Sequence, residues 1–368
     1  MKAAILEAAG QPLEIRDDVM IDDPASGQVR VRVVGCGVCH SDLSMVDGTF
    51  PSPVPIVLGH EAAGVIDEVG ANVRGLSVGD SVILTPCPPC GACYWCVRGE
   101  ASLCVDAIGI QTNAFPDGTT GLSRGSTRVF RGLNVAGFAE YVVAPANAAV
   151  RIPGDLPLDV ACVIGCAVQT GVGAVLNTAE VEEGATVLVM GLGGVGLSVV
   201  QGARVAGAAR IIASDPLSTR REAAKAFGAT DLLDPNAEDV VARTREIASV
   251  GVDYAFETAG RASLTQQAMA AIRNGGTVVC VGAPSLQEAI EINPAALFVI
   301  SGKKLTGCVL GSANSLREIP RLVSLWRTGR LDLESLITAR RPLAEINEAL
   351  ADLRAGRGIR TVISPEHS

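Results

Sequence analysis

With 368 residues the chain is too long for one ordinary hydrophobic core, so two domains are expected. Its composition is 48% apolar, with 41 glycines against two Trp, three Tyr and seven Phe, which suits an α/β protein with many tight turns. A formal net charge of −9, with acidic residues scattered along the chain, excludes the basic face that nucleic-acid binding needs.

The opening stretch, MKAAILEAAGQPLEI, lacks the layout of a secretory leader because Glu7 and Gln11 interrupt its apolar run. No run approaches the ~18 apolar residues of a membrane span. A cytoplasmic location with no membrane partner is therefore predicted, where thiols stay reduced and clustered cysteines read as metal ligands. The first 150 residues suggest short strands bounded by Gly and Pro: QVRVRVVG (28–35), AAGVIDEVG (62–70), DSVILT (80–85) and FAEYVVAP (138–145). From about 185 the pattern changes to nearly continuous apolar runs at 185–190, 209–214, 230–234, 252–257 and 276–282. Helix-length stretches separate them, and 303–310 gives a sixth strand. That alternation predicts parallel strands joined by crossover helices. Two amphipathic helices and a last strand, GIRTVIS (358–364), follow. A parallel-sheet domain over 168–309 is thus inserted in a β-rich domain formed by 1–167 and 310–368.

At the end of the first parallel strand stands VLVMGLGGVGLSVV, a G-x-G-x-x-G of Gly191, Gly193 and Gly196 that opens a helix. Strand, glycine loop, helix and an acidic residue closing the next strand, Asp215, form the dinucleotide fingerprint. Gly191 permits a tight turn, Gly193 lets the backbone approach a pyrophosphate, and Gly196 allows close helix–sheet packing. The helix N-terminus offers free N–H groups to phosphates. Asp215 favours NAD by accepting from ribose hydroxyls, although Arg220 or Arg221 could pair with a 2′-phosphate.

Five of the eleven cysteines crowd into CPPCGACYWCVRGEASLC (87–104). Cys90, Cys93, Cys96 and Cys104 give C-x2-C-x2-C-x7-C, a spacing that can close a tetrahedral zinc site and leave no position for substrate. Cys87 fits as an alternative first member, and an iron–sulfur cluster also uses four cysteines. A catalytic zinc keeps three protein ligands and one open position. Of the three histidines, His367 lies near the end, while His40 and His60 stand in GCGVCHSD and VLGHEAAG. Cys39 with His60 makes a plausible pair; on chemistry alone the third ligand can be Cys36, Cys162 or Cys166.

GVCHSD (37–42), GHEAAGVIDEVG (59–70), the cysteine lobe, GCAVQTGVGAV (165–175), GLGGVG (191–196) and GIRTVIS occur in this order over nearly the whole chain. The combination resembles a zinc-dependent alcohol dehydrogenase of the medium-chain dehydrogenase/reductase superfamily. The resemblance implies a GroES-like catalytic domain around an NAD-binding Rossmann domain with a doubly wound, six-stranded parallel sheet. It implies a catalytic zinc on Cys39, His60 and Cys166 with Glu61 nearby, and a structural zinc on Cys90, Cys93, Cys96 and Cys104, with Cys87 a bystander. Asp42 orients the zinc-bound histidine, Ser41 contacts the substrate oxygen, and Phe50 walls the substrate pocket. The implied cofactor set takes in His40, Thr170, Gly194, Val195, Arg220, Val281 and Arg360, the last near the pyrophosphate. Two departures stand out: Ser44 replaces a histidine that often ends a proton relay, and His40 replaces an arginine that often meets the pyrophosphate. The segment AALFVISGKKLTGCVLG (295–311) resembles the one through which family members pair, which implies a homodimer or homotetramer. The implied reaction is reversible oxidation of a primary or secondary alcohol to an aldehyde or ketone, with hydride passing to NAD. Thiol-dependent formaldehyde dehydrogenase and nicotinoprotein dehydrogenase are the rival enzyme readings. A non-catalytic NAD- or redox-sensing zinc protein is the rival of another class.

Overall fold

The strand Gln28–Gly37 shows why the β-rich part forms. Val29, Val31 and Val33 alternate with Arg30 and Arg32, and only the valines are fully buried. One buried face is what an antiparallel sheet over a core requires. In a computed structural model, which describes residues 1–365 (Ile108 by its backbone only), this strand lies inside a seven-stranded sheet. It pairs antiparallel with Glu61–Val69, Tyr141–Pro145 and the C-terminal strand Arg360–Ser364. Ser81–Leu84 and Ala149–Arg151 extend the sheet on one side, and Ile337–Pro342 runs parallel to Arg360–Ser364 on the other. The core beneath includes Ile56, Leu58, Ile66, Phe138 and Ile346.

The second sheet has six parallel strands in the spatial order Asp231–Leu233, Arg210–Ser214, Thr186–Met190, Val252–Glu257, Ile272–Cys280, Lys304–Gly307. Numbered along the chain this is 3-2-1-4-5-6, the doubly wound dinucleotide-binding order. Val187, Leu188 and Val189 are fully buried in succession, because helices cover both faces of such a sheet. Lys304–Gly307 is an edge strand, preceded by a helix, Ala295–Ser301, on which Leu297, Val299 and Ile300 are exposed.

Contacts divide the chain into one unit of Met1–Gln169 with Ala313 onward, and a second of Thr170–Ser312. These seams lie slightly after the 167/168 and 309/310 positions read from sequence. All eleven cysteines are free thiols. Among the described residues no single helix is long and apolar enough to cross a membrane.

Candidate active site

Two groups of metal-ligating side chains occur among the described residues, both in the first unit. Cys39 immediately precedes the short helix His40–Val46, and His60 immediately precedes the strand Glu61–Val69. Cys166 ends a 3-10 turn, Cys162–Gly165. Ligand atoms of Cys39, His60, Glu61 and Cys166 all lie within 4.8 Å of one another.

Asp42 holds this group together. Fully buried, it accepts the Cys39 backbone N–H on Oδ2 at 3.1 Å and the Gly59 N–H on Oδ1 at 2.9 Å. His60 Nδ1 lies 3.1 Å from Asp42 Oδ1, and a carboxylate can only accept, so Nδ1 carries the proton. Nε2 is then the nitrogen available to a metal. Burial works against charge on His60, but Asp42 and then Cys39 outweigh it and hold its pKa well above that of an ordinary imidazole.

The two thiols are unequal. A hydrogen bond from Cys166, helped by Arg360 and His60, holds Cys39 well below an ordinary thiol, while that same contact and burial push Cys166 up. Both must shed their protons to bind a divalent ion. Glu61 is fully buried; burial raises it to about 7 against the pull of Arg360. Its Oε1 takes Arg360 Nη2 at 3.3 Å and the Ala167 N–H at 3.2 Å, while Oε2 has no partner. Arg360 also donates through Nη1 to the Val38 carbonyl at 2.8 Å. An orphaned buried carboxylate oxygen beside two thiols and an oriented imidazole is a donor set that fits zinc.

Cys36 and Cys162 stand outside this ring. Their sulfurs turn to the carbonyls of Gly37 and Asp159, and burial pushes both thiols up. Of the third ligands left open by sequence, only Cys166 joins the group.

In the lobe, Cys90, Cys93, Cys96 and Cys104 also place their sulfurs within 4.8 Å of one another. The Cys90–Cys96 and Cys93–Cys104 separations are 4.0 and 3.9 Å. Those match the edge, about 3.8 Å, of a tetrahedron of thiolates around zinc at about 2.3 Å. Backbone N–H groups of Cys90 and Cys93 point to the sulfurs of Cys104 and Cys90 at 3.2 and 3.3 Å. Cys87 is buried apart from them, and burial pushes its thiol up to about 12.

The second unit holds the glycine loop. Gly191 has a φ of +90°, which an L side chain rarely adopts. A Cβ on Gly196 would run into the Gly191 carbonyl oxygen, whereas nothing stands within 4 Å of one built on Gly193. Gly194 and Val195 open the helix Gly194–Ala206. Asp215 is buried, accepting the N–H of Leu192 on Oδ2 at 2.8 Å and of Leu217 on Oδ1 at 2.9 Å. Arg220 Nη1 lies 3.8 Å from Oδ2 and its Nε has no partner, while Arg221 is held by the Asp215 carbonyl and by Asp234. Val281 donates its N–H to the Glu257 carbonyl at 2.8 Å, and Thr170 is buried in Ala167–Gly173. Sequence reading overlooked Thr258, whose hydroxyl donates to the Gly191 carbonyl at 2.7 Å and braces the turn. Its signal was a small hydroxyl residue directly after the fourth parallel strand.

The other expected positions are simply placed. His40 is exposed at the helix start, Ser41 is half-buried in its first turn, and Phe50 packs half-buried on the core. Arg360, expected near a pyrophosphate, is buried against Glu61 and Val38. His367 lies outside the described residues.

Fold and site define a zinc-binding dehydrogenase with a GroES-like and a Rossmann-like domain. Residues 25–154 match the alcohol dehydrogenase GroES-like domain, and residues 194–325 match the zinc-binding dehydrogenase domain. A Burkholderia ambifaria alcohol dehydrogenase zinc-binding domain protein is 37% identical with a TM-score of 0.93, over 100% of this chain and 99% of that one. Benzyl alcohol dehydrogenase from Acinetobacter calcoaceticus is 33% identical, also with a TM-score of 0.93, over 99% of each chain. A Sinorhizobium meliloti 1021 protein described as a zinc-binding dehydrogenase, bound to NADP, is 29% identical with a TM-score of 0.82 over 99% of each chain. The chain belongs to the zinc-dependent alcohol dehydrogenases of the medium-chain dehydrogenase/reductase superfamily.

Two substitutions probe this geometry. Asp42→Asn should weaken zinc binding by about 10–100-fold, because the histidine loses its fixed tautomer; unchanged zinc affinity in a chelator competition would contradict that role. Gly196→Ala should cost about 1–3 kcal/mol through overpacking and weaken nicotinamide-cofactor binding. A variant that melts and binds cofactor like the parent would show that the close approach is not required.

Proposed function

We propose that the protein oxidises a primary or secondary alcohol reversibly to an aldehyde or ketone, with NAD as hydride acceptor and one catalytic and one structural zinc per chain. The observation that carries this reading is the group of Cys39, His60, Glu61 and Cys166 ligand atoms within 4.8 Å, with Asp42 fixing the imidazole. Zinc held there supplies a Lewis acid that lowers the pKa of an alcohol and favours loss of hydride.

The protein's own residues do the rest. Cys39 and Cys166 as thiolates and His60 through Nε2 hold the ion, and Asp42 keeps the proton on Nδ1. Ser41, two residues after Cys39 in the first helical turn, accepts the alcohol proton on Oγ and passes it onward. Glu61, tied through Oε1 to Arg360, keeps Oε2 free beside the ligand ring. The glycine loop and Asp215 hold the cofactor: Gly193 gives the pyrophosphate close approach, and the Asp215 carboxylate disfavours a 2′-phosphate.

Likeness to a benzyl alcohol dehydrogenase supports aromatic primary alcohols as the first substrates to test. The exposed Leu297, Val299 and Ile300 beside the open edge strand support pairing of two copies.

A screen of primary, secondary and aromatic alcohols should show reduction of NAD faster than of NADP, and Asp215→Gly should narrow that difference. Turnover that requires a low-molecular-weight thiol and formaldehyde, or none with any alcohol, would overturn this reading. Cys93→Ser should reduce the zinc content from two per chain to one and lower the melting temperature. A variant retaining both ions and full stability would contradict the structural assignment of the lobe.

A further inference from the structure

A second buried cation in the β-rich unit takes no part in the zinc and cofactor chemistry. Arg131 is 1% exposed, and its guanidinium carbon lies 3.7 Å from the centre of the Phe115 ring. Nη2 donates to the Asn134 carbonyl at 2.8 Å, while Nε and Nη1, equally buried, have no partner. Burial alone shifts the group, down to about 9, with no acidic side chain opposing it, so it remains a cation at neutral pH. The aromatic face offsets only part of the cost of burying an unpaired charge.

A small cavity has Arg131 in its wall, with Thr120, Leu122, Val135, Val142 and Val143 among others. It is about the size of one water molecule or one monatomic ion. Apolar side chains make up much of the wall, together with Tyr141 and with Thr120, whose hydroxyl donates to the Leu122 carbonyl at 3.2 Å. Two unpartnered N–H donors on a full positive charge, in a wall around so small a space, favour a small anion.

We propose that this cavity binds one small monovalent anion of the halide class against the Arg131 guanidinium. The ion neutralises the buried charge and steadies the loop that Arg131 begins, in which Leu133, Asn134 and Ala136 hold left-handed backbone at φ of 49°, 64° and 69°. The end of that loop meets the metal group, since Gly137 donates its N–H to the Gly59 carbonyl at 2.6 Å, directly before His60. A halide at Arg131 therefore supports the chain segment that carries a zinc ligand.

The test is thermal melting of the zinc-loaded protein in sodium chloride or bromide against sodium gluconate at equal ionic strength. A saturable rise in melting temperature is expected with either halide, absent with gluconate and lost in Arg131→Met. Identical curves for halide and gluconate, or a halide effect that survives Arg131→Met, would overturn the proposal. Should Arg131→Met not fold, parent crystals soaked in bromide decide the matter. An anomalous peak against the Arg131 guanidinium supports the site, and a cavity holding only water or nothing refutes it.

Discussion

One carboxylate fixes the metal group. Asp42 receives the backbone N–H that enters the helix at Cys39, the N–H of Gly59 and the Nδ1 proton of His60. Through these bonds it sets the position of one ligand, the segment carrying another, and that ligand's tautomer. A buried carboxylate is costly unless its lone pairs are filled in this way. Replacing it with an apolar residue would release two ligands at once.

The cysteines divide by surroundings. Cys36, Cys87 and Cys162 are buried where desolvation raises their pKa, so they stay protonated and inert. The lobe cysteines collect four sulfurs, with backbone N–H groups directed at two of them, a closed set suited to clamping a loop. Cys39 and Cys166 instead meet an imidazole, a carboxylate and the buried Arg360, the mixed donor set to which the proposed function assigns the catalytic zinc. Density of thiols along the sequence therefore does not by itself locate the mixed donor set.

Much of this was legible in the sequence. The strand at 185–190 was readable because a sheet covered on both faces makes its strands almost wholly apolar, as at Val187, Leu188 and Val189. Helix limits were less so. Of the helix-length stretch between the third and fourth parallel strands only Val240–Ile247 is helical, because Asp239 caps it and Asp234 takes residues 236–238 into a turn. Spacing could not choose among Cys36, Cys162 and Cys166, since the choice depends on which way each sulfur turns. Nor could it reveal that Arg360 pairs with Glu61, because that contact joins the C-terminal strand to the strand after His60.

Anomalous scattering at the zinc edge, measured on crystals of the purified protein, tests most directly whether metal chemistry lies away from the thiol-rich lobe. Two peaks are expected, one enclosed by the sulfurs of Cys90, Cys93, Cys96 and Cys104, the other between Cys39, His60 and Cys166. A single peak confined to the lobe, or one displaced to Cys87, would contradict the division of roles described above.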